Sequence, residues 1–145
     1  MAPVAALLST AWLLAILTAP LLPTALSAAI YSVGSLVCHQ LPERSFHLGA
    51  FQLPVCARCA GIYGGAAMGA FGAVVMRLAA VPSRARQALV LAALPTAITV
   101  ALDSAGLWPT NNIVRAAAGI PLGLVVALVV TSALATINYR DQIPR

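Results

Sequence analysis

The chain is 145 residues long, 61% hydrophobic and only 8% charged, with a formal net charge of +5. Its mean hydropathy of +0.97 lies far from the soluble norm of roughly half apolar and a quarter charged residues, which excludes an ordinary water-soluble domain and places the chain in a lipid bilayer. A few scattered arginines make up the positive charge, and they call for no nucleic-acid partner.

Crossing the hydrocarbon core takes about 20 apolar residues in a helix. The first such stretch runs over residues 4–22 and is followed by small residues that resemble a signal-peptide cleavage site. No lysine or arginine precedes the apolar run, and Leu26 interrupts the small-x-small pattern, so the segment is expected to be retained as a first span. Pro20 and Pro23 break it. Residues 24–37 are too few for another crossing and are expected to form an interfacial or re-entrant helix, with Tyr31 at headgroup level.

A polar stretch follows, holding all three cysteines and both histidines of the chain: Cys38-His39-Gln40, then His47, then Cys56-Ala57-Arg58-Cys59. The second span is expected over residues 55–80. Pro54 suits the first turn of a helix, which would put Cys56 in that turn and Cys59 one turn on along the same face, with Tyr63 continuing it. A cysteine near a helix N-terminus tends toward the thiolate, the form that binds metals and attacks disulfides. Another face of this helix carries Gly61, Gly65 and Gly69, with Arg58 about 20° from Gly65.

The third span, over 87–102, contains Pro95, and the fourth, over 113–137, contains Pro121; neighbouring helices can satisfy the carbonyls that such prolines free. Asn112 is expected to cap the fourth helix. That helix repeats the earlier pattern, with Arg115, Gly119 and Gly123 at intervals of four. If the two glycine stripes pack together, Arg58 and Arg115 converge near the membrane boundary, and Asp103 is the acidic residue best placed between them, apart from Glu43. The alternative is that each arginine snorkels separately to the headgroups. Trp12 and Trp108 read as interface anchors or packing groups.

Lysine is absent, so arginine sets the orientation. Arg77, Arg84 and Arg86 lie around the loop after the second span, and Arg140 and Arg145 follow the fourth, which puts both segments in the cytoplasm and the Cys/His segment on the extracytoplasmic face of the cytoplasmic membrane. The expected fold is therefore an all-α integral membrane protein in one domain, a four-helix transmembrane bundle with an additional interfacial helix.

The elements Cys38-His39-Gln40 with Arg44-Ser45-Phe46, and Pro54-Val55-Cys56-Ala57-Arg58-Cys59-Ala60-Gly61-Ile62-Tyr63-Gly64-Gly65, resemble the signature of the domain of unknown function 2085 family of small prokaryotic membrane proteins. The resemblance extends to Asp103 and to Asn112-x-x-Arg115-x-x-x-Gly119. It implies a multispanning prokaryotic membrane protein and supplies neither activity nor substrate.

The chemistry must come from the residues. Cys38, Cys56 and Cys59 with His39 or His47 match the ligand types and CxxC spacing of a four-coordinate zinc site. Arg58, Arg115 and Asp103 would form an adjoining polar pocket, the candidate catalytic group, able to receive an anionic lipid headgroup or a small anion. A site with only three protein ligands would leave room for a metal-bound water. A second reading is thiol-disulfide exchange at Cys56 and Cys59, with Cys38 as third thiol and the bilayer supplying quinone. Against it stands the lack of a fourth cysteine. A third is a non-catalytic membrane subunit whose cysteines fill space.

Overall fold

The computed structural model describes residues 2–76 and 83–140, of which 138–140 are described by backbone alone. Helix α1 (Ala2–Thr18) runs into a 3-10 turn at Ala19–Leu21, and α2 (Thr24–Val37) follows after Pro23. A second 3-10 turn, Pro42–Arg44, leads into an antiparallel hairpin of β1 (Ser45–Leu48) and β2 (Phe51–Cys56). Helices α3 (Ala57–Val75), α4 (Ala85–Ser104) and α5 (Asn112–Arg140) complete the chain.

Among the described residues, three helices are long and apolar enough to cross a membrane: α1 with its 3-10 turn (Ala2–Leu21), α4 (Ala85–Ser104) and α5 over Asn112–Ile137. Helix α3, which carries five glycines and Arg58 within 19 residues, is not among them. It is nonetheless the helix around which the others assemble, packing most extensively on α5 and next on α1, while α4 rests on α5. The apolar side chains on the outer faces of α1, α4 and α5, among them Leu7, Leu8, Val90, Leu91, Ile98 and Val130, are exposed, as a bilayer setting requires and an aqueous one penalises.

The α3–α5 seam is built from the two glycine stripes. A side chain at Gly61, Gly65 or Gly69 would collide with the backbone of Ala116, Ile120 and Leu124 in turn, and one at Gly119 or Gly123 would meet the carbonyls of Arg58 and Ile62. In lipid, close backbone approach of this kind replaces the hydrophobic drive that lipid tails cannot supply. The conditional expectation that the stripes meet is fulfilled.

Helix α2 has the range read from the sequence, with Ile30 and Gly34 buried and Gly34 set against the hairpin at Pro54. Gly34 is required there, because a Cβ would strike the Pro54 carbonyl and the Gln40 side chain. The hairpin itself was not foreseen, and it corrects the placement of Pro54 and Cys56. Pro54 lies in β2 and not in a helical turn, and α3 begins at Ala57 with Cys56 as its N-cap residue. The register pairs Ser45 with Cys56 and His47 with Gln52, irregular between them, so one residue of β1 opposes three of β2. Pro54 sits in that bulge, where its missing N–H removes no ladder hydrogen bond. Residues 77–80, which complete the expected second span, lie outside the described residues, as do Arg77 and Arg145.

Candidate metal centre and ion-pair pocket

Three consecutive elements bring the cysteines together. Cys38 terminates α2 in extended conformation, its amide still bonded to the Gly34 carbonyl at 3.0 Å. Cys56 ends β2, and Cys59 lies in the first turn of α3. Their Sγ atoms all lie within 4.8 Å of one another, and the Cys56 amide donates to Cys38 Sγ at 3.1 Å. All three are free thiols, Cys56 buried and the others half-buried. The hydrogen bond from the Cys59 thiol, aided by Cys38 and by the nearby His39, outweighs burial and pulls the Cys56 thiol down to about 5. A thiol lowered in this way favours the thiolate, its metal-binding and nucleophilic form.

The histidines are placed differently from the sulfurs. His39 is exposed, and its Nδ1 accepts the Leu41 amide at 3.1 Å. His47 is exposed on β1. Neither belongs to the group of donor atoms gathered around the three cysteines among the described residues. Their neighbour Gln40, which the sequence reading left without a role, is the keystone of the loop. It adopts φ +49°, and its Nε2 donates to the carbonyls of Tyr31 and Pro54 at 2.8 and 2.7 Å, while its own carbonyl accepts from Gln52 Nε2 at 2.6 Å. The Tyr31 hydroxyl donates to the Gln52 carbonyl. A left-handed backbone at a residue other than glycine costs on the order of 1–3 kcal/mol and persists where surrounding bonds over-determine it.

The second cluster lies on the α4–α5 side of α3. Arg115 grips Asp103 with two nitrogens, Nε to Oδ2 at 3.1 Å and Nη2 to Oδ1 at 3.3 Å. Thr110 adds its amide to Oδ1 at 2.9 Å and its hydroxyl to Oδ2 at 2.8 Å. Arg58 is held more loosely, at 3.7 Å from Asp103 Oδ2 and 3.4 Å from Thr99 Oγ1. The Asp103, Arg115 and Arg58 side chains are 6%, 11% and 14% exposed. Arg58 Nε is fully buried and, among the described residues, has no hydrogen-bond partner. Glu43, the other acidic residue considered for this pocket, is exposed in the 3-10 turn.

The two clusters are connected through Asn112. Its Nδ2 donates to the Ser45 carbonyl at 2.9 Å, and its Oδ1 accepts from Arg115 Nη1 at 3.0 Å. Ser45 is the buried residue paired with Cys56 across the hairpin. The cap expected from Asn112 is made by Asn111, whose Oδ1 accepts the Val114 amide at 2.9 Å. Asn112 is thereby released to tie the hairpin to the bundle.

A family model described as "Predicted membrane protein (DUF2085)" matches residues 38–129, from the first cysteine through most of α5. The chain belongs to this family. The matched region contains every residue of both clusters and the whole of the glycine seam. An uncharacterized protein of Methanocaldococcus jannaschii is 33% identical over 102 residues, covering 70% of this chain and 65% of that protein. One of Methanothermobacter thermautotrophicus is 34% identical over 96 residues, covering 63% of this chain and 82% of that protein. The chain thus spans just under two thirds of the first relative's length. No solved structure matches.

Proposed function

We propose that this family member is a four-span protein of the cytoplasmic membrane that holds a metal ion, zinc, at the extracytoplasmic boundary. Helices α1, α3, α4 and α5 are the spans, α2 lies at the interface, and the arginines flanking the loop after α3 mark the cytoplasmic side. Glycine-rich α3 crosses at the centre of the bundle, where close helix contacts compensate for its lower apolarity.

The observation that carries the metal reading is the convergence of three free sulfurs within 4.8 Å from three separate elements. Thiolates suit zinc, and a metal bridging Cys38, Cys56 and Cys59 would lock α2 and the hairpin to the head of α3. The fourth position falls to His39, whose Nε2 is not engaged in the hydrogen bond to Leu41, or to an exchangeable ligand. The adjoining pocket contains two guanidiniums against one carboxylate. In our reading Asp103, with both oxygens occupied, positions the arginines, and Arg58 with its unpartnered Nε is the group that receives an anionic oxygen, from a lipid headgroup or a small anion.

Elemental analysis of detergent-purified protein, run beside a thiol titration, tests the metal reading. About one zinc per chain, lost in Cys38→Ser and with no disulfide, is the expected result. Metal-free protein with Cys56 and Cys59 oxidised would overturn it in favour of thiol-disulfide exchange. That second reading has its own support in the lowered Cys56 thiol beside Cys59.

A further inference from the structure

An apolar groove of about 410 Å³ runs between α1, α3 and α5, walled by residues such as Ile62, Ala66, Val126 and Ala127 and offering polar atoms only from Ser9, Tyr63 and Thr131. Its volume falls in the range of roughly 300–1,000 Å³ usual for small-molecule sites. Tyr63 belongs to both the groove and the cysteine cluster. It lies one turn below Cys59 on the same face of α3, and Trp12 braces its ring edge-on at a centroid distance of 6.0 Å. The groove therefore begins where the sulfur cluster ends.

The donor set is one short of the usual four. Three sulfurs converge, and the nearest histidine, His39, is exposed with Nδ1 engaged by the Leu41 amide. Three thiolates on a divalent ion carry one net negative charge, so an additional anionic ligand would be opposed and an uncharged donor favoured, the more so beside an apolar groove that solvates no ion. We propose that the metal keeps an exchangeable fourth position facing Tyr63, and that the groove seats the hydrocarbon chain of an uncharged amphiphile whose polar head takes that position. This inference rests on the metal reading above. It assigns the centre a lipophilic ligand arriving from the bilayer, in place of a closed structural site.

Cobalt(II) reports on it, because its visible bands respond to coordination number and ligand type. The full chain in detergent micelles is loaded with Co²⁺ and titrated, above the pKa of the probes, with the uncharged donors 1-octylimidazole and 1-ethylimidazole, each expressed as its mole fraction in the micelle. 1-Octylimidazole is expected to shift the spectrum at a mole fraction at least roughly tenfold lower than 1-ethylimidazole, since a shaped apolar site discriminates about that well over a single methylene. Ala127→Leu, which fills the groove from α5, should abolish that preference while leaving Co²⁺ binding intact. Ser9→Leu does the same from α1 and serves if the first variant fails to fold. Equal response to both imidazoles overturns the groove as the ligand's seat. A spectrum indifferent to either imidazole but altered by His39→Ala overturns the open position and leaves a closed metal site standing. Failure to bind Co²⁺ at all removes the metal reading itself, and with it this proposal.

Discussion

At the scale of single residues, Asp103 shows how a buried charge acquires a role from its partners. Four hydrogen bonds from Arg115 and Thr110 occupy both carboxylate oxygens, so the group is acceptor-saturated. Removing one partner from a buried ion pair costs about 3–5 kcal/mol, because the other charge is left uncompensated. Asp103→Asn is accordingly expected to lower the thermal midpoint in detergent sharply, and Arg115→Met to do the same. The double variant should lose much less than the sum, since it removes both members of the pair; additive losses would show the two residues to be energetically independent. The sequence exposed the three residues through their spacing and charge, but it could not say which arginine Asp103 prefers. Nor could it separate the adjacent Asn111 and Asn112, because either can begin a helix. The Asn111 bond to Val114 decides it, and Asn111→Ala is expected to cost about 1 kcal/mol of stability as a lost cap.

Among the elements, the glycines of α3 divide by what stands opposite them. Gly65 faces the α5 backbone at Ile120 and Leu124, whereas Gly64 and Gly72 have nothing within 4 Å of where a Cβ would stand. Overpacking a close-packed seam costs about 1–3 kcal/mol, and rigid backbone opposite the new methyl puts this case at the upper end. Gly65→Ala should therefore destabilise the bundle by about 3 kcal/mol while Gly64→Ala, on the same helix, changes stability by less than about 1 kcal/mol; similar losses from both would refute the seam. Period-four glycines made this interface legible. The hairpin was illegible for a physical reason: Phe51-Gln52-Leu53-Pro54-Val55-Cys56 reads as the apolar approach to a span, and Pro54 argues against a ladder unless a bulge absorbs it. Gly49, at φ +62° in the turn between Leu48 and Phe51, was the available signal.

For the molecule as a whole, the two clusters divide the labour of holding the cap formed by α2 and the hairpin to the bundle. Asn112 anchors the hairpin to α5 through the Ser45 carbonyl, Gln40 knots α2 to β2, and the cysteines join the end of α2 to the head of α3. None of these ties contributes to the glycine seam, which is set deeper along α3 and α5. If a metal completes the cysteine cluster, its removal should loosen the cap and spare the bundle, since binding energy at a site built from separate elements goes into ordering them. Hydrogen exchange of chelator-treated protein is the check. Amides over residues 38–56 are expected to lose protection, while those of α3 beyond its first turn and of α5 keep theirs, and Cys38→Ser should reproduce the pattern without chelator. Loss of protection spread evenly through α3 and α5 would mean that the cysteine cluster supports the whole bundle, and unchanged exchange over 38–56 would mean that Asn112 and Gln40 hold the cap without it.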